Sequence, residues 1–344
     1  MFHFVAILDL RTCPPVSISL PAKVRAAGEG ALQTKVTKVQ TTIRSAVSFQ
    51  GVGLHSGAPV RMTICPAAAE HGIWFKRTDI EIGDALVPAR FDAVEISPLC
   101  TLIKNRAGVS VSTIEHVMAA LAGCGIHNAL IEIDGPEVPI VDGSAAPFVR
   151  AILARGVREL RAPVRAIEIL KTVEVETPGG WARLSPGQGT TMEFHIDFAD
   201  AAIGTQDKAI NLANGSFVRE LCDSRTFCRQ ADVDAMQANG LALGGTYENA
   251  VVVDGDKVLS PGGLRHTDEA VRHKMLDALG DLYTAGAPII GHYTGFKAGH
   301  AITNKLLHAL FSTDGAYRLT VCDAQMSARL PGAGVERDEI PAVA

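Results

Sequence analysis

From Thr41 onward the chain alternates short period-two apolar runs with single amphipathic helices, and it passes through that order twice. This constrains the fold more than any other feature, because a half-buried strand and an amphipathic helix each carry an apolar face that must be covered. In the first pass Val60, Met62 and Ile64 alternate after a glycine-bearing turn, and Ile73, Trp74 and Phe75 mark a second strand. A helix follows with Ile114, Val117, Met118 and Leu121 as its stripe, opened by Ser112 and Glu115 at capping-box spacing and stopped by Gly123 and Gly125. Ala129, Ile131 and Ile133 then alternate as a strand, and Ser144 is placed to cap a helix through Phe148, Val149, Ile152 and Leu153. In the second pass Ile167, Ile169, Val173 and Val175 restart the strands, which run to about Phe198. A mixed region spans Cys222 to Val253, helices surround His273 and run from about Gly299 to Phe311, and a strand covers Tyr317 to Val321.

At 344 residues the chain exceeds what one core usually serves, so two α+β domains are expected, 41–162 and 166–344, joined by a linker near Arg161-Ala-Pro163. Residues 1–40, with a stretch from Thr12 to Gln40 rich in Pro, Ala, Gly, Thr and Lys, read as a flexible N-terminal extension. A hydrophobic share of 47% and a net charge of −5 give a globular protein with no global reason to bind nucleic acid. Seven cysteines without a Cys-x-x-Cys pair argue for a reducing compartment and against a thiolate-bound zinc. The apolar opening Phe2 to Leu8 is interrupted at Asp9 and reads as neither signal peptide nor membrane span. No later stretch reaches the roughly 18 apolar residues of a transmembrane helix, so a cytoplasmic location is expected.

The chemistry concentrates in Val271-Arg-His-Lys-Met-Leu-Asp-Ala-Leu-Gly-Asp281. His273, Asp277 and Asp281 share one helix face at i, i+4 and i+8, opposite Val271, Met275, Leu279 and Leu282. An imidazole and a carboxylate one turn apart have the spacing of a metal chelate, although on an arbitrary amphipathic helix such a stripe is more often a solvated face. His and Asp are poorer helix formers than the Glu and Lys typical of such a face, which lowers the weight of the solvated face without removing it. Glu115-His116 could add a third ligand and a general base, or be a capping acid beside an ordinary histidine. His300 precedes a helix, and a carboxylate such as Asp281 would raise its pKa if the fold joined them. Gly51-Val-Gly-Leu-His-Ser-Gly57 leads into a strand and lacks the G-x-G-x-x-G spacing, so it reads as a hairpin turn presenting His55.

Taken together and in this order, Gly51 to Gly57, Ser112-Thr-Ile-Glu-His116, Gly135-Pro-Glu-Val-Pro-Ile-Val-Asp-Gly-Ser144, Ser224-Arg-Thr-Phe227, His273-Lys-Met-Leu-Asp277 and Phe296-Lys-Ala-Gly-His300 carry a family resemblance. The chain after about Thr41 resembles the UDP-3-O-acyl-N-acetylglucosamine deacetylases, zinc amidases of lipid A biosynthesis in Gram-negative bacteria. The resemblance implies two similar domains, each a β-sheet packed against α-helices, with the active site between them. It implies that His116, His273 and Asp277 bind Zn2+ and that Glu115 is the general base. Thr226 and Lys274 would stabilise the oxyanion, and His300, held protonated by Asp281, would protonate the leaving amine. Lys274 and Lys297 would lie near the UDP-sugar, His55 would line the cleft, Phe227 would bind substrate, and Val233, Met236, Leu241 and Leu243 would shape an apolar passage for the acyl chain in an insert at about 226–253. The expected partner is UDP-3-O-acyl-N-acetylglucosamine, with no nucleic acid, no transmembrane anchor and a monomeric chain. An amidase for another amide, or a catalytically silent UDP-sugar or acyl-chain binder, are the alternatives. The chain departs from the family pattern at Cys228-Arg229-Gln230, where apolar residues are common, and at Asp200-Ala201, where His-Pro is frequent.

Overall fold

Period-two alternation becomes strands with one buried face. Val60, Met62 and Ile64 are buried while Arg61 between them is exposed. The structure, a computed structural model, describes residues 38–341 apart from 98, 337 and 338. The apolar opening, Cys13 and most of the expected extension lie outside the described residues. The chain runs through β1 (Val39–Ile43), β2 (Val47–Val52), β3 (Pro59–Pro66), β4 (Ile73–Arg77) and β5 (Leu86–Pro88). A small sheet of β6 (Val94–Glu95), β7 (Leu102–Lys104) and β8 (Ser110–Val111) precedes helix α1 (Glu115–Gly123). Then come β9 (Ala129–Ile133), α2 (Ala146–Arg155) and β10 (Val157–Pro163).

The second half opens with β11 (Arg165–Ile169), β12 (Val173–Thr177), β13 (Gly180–Ser185), β14 (Thr190–Asp197), β15 (Thr205–Asn211) and α3 (Ser216–Glu220). A small sheet of β16 (Phe227–Arg229), β17 (Val251–Asp254) and β18 (Lys257–Val258), with α4 (Gln230–Ala238) after β16, again precedes a helix, α5 (Glu269–Tyr283). The chain closes with β19 (Ile289–Phe296), α6 (His300–Ser312), β20 (Tyr317–Val321) and α7 (Ala324–Ser327).

The two halves are topological copies. The first sheet has the order β2-β3-β9-β4-β5, and the second contains β12-β13-β19-β14-β15. In both, the first, second and fourth pairings are antiparallel and the third is parallel. Helices α1 and α5 each lead into the middle strand of their sheet, while α2 and α6 follow it. The α+β class expected from the sequence holds, and one apolar core runs through both halves.

Three local expectations are corrected. Ser112 and Glu115 form no capping box: the Ser112 hydroxyl donates to the Pro136 carbonyl, Ile114 stands at the N-cap of α1, and the Glu115 carboxylate accepts from the Thr101 amide. The expected linker at Arg161-Ala-Pro163 is the end of β10, which pairs with β1, so Val39 and Gln40 lie in a strand rather than an extension. Ser144 sits one residue before the N-cap of α2, although its hydroxyl does accept from the Ala146 amide at 3.2 Å.

Candidate active site

Helices α1 and α5 pack face to face, so the polar stripe of α5 meets α1 instead of water. Gly280 permits the approach, since a Cβ there would fall 2.0 Å from the Glu115 carbonyl oxygen. This juxtaposition buries Glu115, His116, His273, Asp277, Asp281 and His300 together. The solvated-face reading of α5 therefore fails.

One potential ligand atom each from His116, His273 and Asp277 lies within 4.8 Å of the others. The Nε2 atoms of His273 and His116 stand 3.2 and 3.5 Å from Asp277 Oδ1, a buried oxygen with no hydrogen-bond partner. His273 Nδ1 donates to the Ser224 carbonyl at 3.0 Å, which fixes the ring and turns the lone pair of Nε2 inward. Two imidazoles and a carboxylate left short of donors fit a divalent cation that accepts nitrogen and oxygen ligands. His300 Nδ1 faces Asp281 at 3.0 Å, while its Nε2 lies 3.9 Å from Glu115 Oε1 and 3.8 Å from Asp277 Oδ2.

The field within this cluster separates its members. Burial opposes the charged form of His300, but Asp281, Glu115 and Asp277 outweigh it and raise its pKa to about 9. His273 is pushed down to about 4, chiefly by burial, and is a neutral donor at ordinary pH. Burial raises Glu115 against the pull of His300 and His116, which suits a base. For Asp277 burial acts upward, yet His273, Lys274 and His300 hold it well below the usual carboxylate range.

The profile of the UDP-3-O-acyl N-acetylglycosamine deacetylase (LpxC) family matches residues 40–312. The chain belongs to this family. A protein of Phenylobacterium zucineum named UDP-3-O-acyl-N-acetylglucosamine deacetylase is 48% identical over 280 residues, covering 81% of this chain and 96% of its own. Proteins of the same name from Shewanella frigidimarina and Shewanella baltica strain OS155 are each 44% identical, covering 86% of this chain and 98% of their own. The deacetylases of this family are metalloenzymes, and among the described residues His116, His273 and Asp277 are the group of three or more donors able to hold an ion.

Of the other residues that the family resemblance singled out, Lys274 and Phe227 lie against this centre. Lys274 reaches Asp277 Oδ2 at 3.0 Å. Phe227 stands edge-on to His273 with ring centroids 6.3 Å apart, and the Thr226 amide donates to the Gly143 carbonyl at 2.8 Å. His55 sits on the β2–β3 hairpin with both ring nitrogens buried and unpartnered, its pKa lowered by burial against Glu137 and with the help of His300. Lys297 is not drawn into the cluster, since its ammonium pairs with Asp197 at 2.7 Å. Val233, Met236 and Leu241 are half-buried and Leu243 is exposed; α4 buries no residue, whereas Val251 to Val253 at the end of the insert are buried. The two departures from the family pattern meet: Arg229 Nε donates to Asp200 Oδ2 at 2.6 Å.

Sequence reasoning missed supports that depend on tertiary contact. Glu269 accepts from the amide and the guanidinium of Arg225, which fixes the segment between Ser224 and Thr226. Glu137 accepts from the His55 and Ser56 amides and the Ser56 and Thr113 hydroxyls. The one signal was their place inside quoted motifs or at the head of a helix.

Proposed function

We propose that the protein hydrolyses the acetamide of UDP-3-O-acyl-N-acetylglucosamine to acetate and UDP-3-O-acyl-glucosamine, the committed step of lipid A biosynthesis. The observation carrying this reading is a buried His-His-Asp group flanked on one side by a carboxylate raised by burial and on the other by a histidine that keeps its proton. His116, His273 and Asp277 would hold Zn2+, with 41–162 supplying the first ligand and 166–344 the other two. Bound there, Zn2+ supplies Lewis acidity, which polarises the amide carbonyl and makes water a stronger acid.

The chain's own residues do the rest. Glu115 takes a proton from water as the water oxygen bonds to the acetamide carbon. The Thr226 hydroxyl and the Lys274 ammonium stabilise the charge that builds on the former carbonyl oxygen. When the C–N bond breaks, His300 Nε2 gives its proton to the nitrogen, which would otherwise leave as a very poor amide anion. One proton passing from Glu115 to His300 restores both. Asp281 holds His300 in its protonated form. His55 and Lys297 are assigned to the UDP-sugar, and Phe227, Val233 and Leu241 to the acyl chain. Among the described residues no helix is long and apolar enough to cross a membrane.

The test is acetate release by zinc-loaded protein from UDP-3-O-acyl-N-acetylglucosamine of several chain lengths, beside UDP-N-acetylglucosamine. Release from an acylated substrate at least about tenfold above the unacylated one is expected, since an unacylated sugar leaves the insert nothing to bind. No release at any chain length would overturn the assignment and favour a silent binder.

A further inference from the structure

Thr101 lies in the connection that enters β7, is fully buried, and has a partner for each of its polar groups, two of them in the catalytic cluster. Its amide donates to Glu115 Oε2 at 2.9 Å, and its carbonyl accepts from the Ile114 amide at the start of α1. Its hydroxyl donates to Asp281 Oδ1 at 2.5 Å and accepts from Asn304 Nδ2 at 3.1 Å. The direction of the last two bonds follows from chemistry: an ionised carboxylate only accepts, so the hydroxyl proton points to Asp281 and the oxygen is left for the Asn304 amide. One residue thus ties α1, α5 and α6 together at the points where they carry Glu115, Asp281 and the start of the helix bearing His300.

We propose that Thr101 is a positioning residue that couples the base to the acid, fixing Glu115 and the Asp281–His300 pair relative to each other across the two halves. The inference rests on the deacetylase reading. With Glu115 Oε2 held by the Thr101 amide, Oε1 is the oxygen left facing His300, and with Asp281 Oδ1 held by the hydroxyl, the carboxylate presents a fixed edge to His300 Nδ1. Removing the hydroxyl leaves the amide bond to Glu115 intact but frees Asp281, and with it the ring that must deliver a proton along one line.

A packing role and a positioning role rank two substitutions oppositely. Thr101→Val keeps the shape and loses the hydroxyl; Thr101→Ser keeps the hydroxyl and loses a methyl. Steady-state acetate release should show kcat for Thr101→Val lower by about 10- to 100-fold with KM within about threefold, the scale of losing a hydrogen bond to a charged group. Thr101→Ser should stay within about threefold of the parent. In a His300→Gln background Thr101→Val should cost less than about threefold more, because the group it acts through is already gone. Asn304→Ala carries the same test should Thr101→Val fold poorly, with a loss of about 3- to 10-fold that also vanishes in His300→Gln. Serine as slow as valine, or losses that multiply with His300→Gln, would overturn the proposal. A parent that releases no acetate would instead overturn the deacetylase reading, and the proposal with it.

Discussion

At the residue scale one buried histidine keeps its proton while another, one helix away, stays neutral. His273 and His300 are both buried, so burial alone would depress both. They diverge because His300 faces Asp281, Glu115 and Asp277, whereas the help His273 receives from Asp277 is offset by His116 and Lys274. A general acid with a pKa of about 9 is protonated through neutral pH, so kcat should fall as pH rises through about 9. Asp281→Asn removes an interaction that raises His300, and the alkaline limb should move to lower pH. A pH–rate profile in which Asp281→Asn leaves that limb in place would show that another group sets it. His273, Asp277 and Asp281 were legible in the sequence because i, i+4 spacing on a helix is local geometry. Thr101 and Glu137 were not, since a threonine in a loop and a glutamate after a proline become informative only through partners 13 to 203 and 24 to 82 positions away.

At the element scale, the closeness of α1 and α5 decides whether the stripe of α5 is a site or a wet surface. The helix itself reads the same in either case, which is why the sequence left the two open. Gly280 is the contact point, and Gly280→Ala should force α5 away from the Glu115 carbonyl. The expected cost is about 1–3 kcal/mol of stability, typical of overpacking, together with reduced metal affinity because two of the proposed ligands ride on α5 and one on α1. Denaturant unfolding alongside a zinc titration checks it; unchanged values in both would mean that the helices can separate freely. The capping box and the linker were misread for a shared reason. Ser112, Glu115 and Arg161-Ala-Pro163 carry the residue types of helix starts and breaks, but partners distant in sequence, Pro136, Thr101 and β1, claimed them first.

At the scale of the whole molecule, one α+β unit is used twice and specialised by half. The order of elements suggests this in the sequence without establishing it, because what is repeated is a pairing pattern of strands and the place of a helix within it rather than residues. The first copy contributes Glu115 and His116 on α1, and the second contributes His273, Asp277 and Asp281 on the equivalent helix α5, with His300 at the head of α6. Neither copy holds a complete set. Beside the second small sheet α4 buries no residue, and Arg229 is tied to Asp200.

If one buried group binds the ion and separate groups move the protons, metal binding and turnover come apart in different variants. Chelated protein should therefore be reloaded with zinc and assayed for bound metal and acetate release together, for the parent, His273→Ala and Glu115→Ala. One zinc and restored turnover are expected in the parent, loss of both in His273→Ala, and one zinc with turnover down at least about 100-fold in Glu115→Ala. Full zinc in His273→Ala, or near-parental turnover in Glu115→Ala, would refute this division of roles.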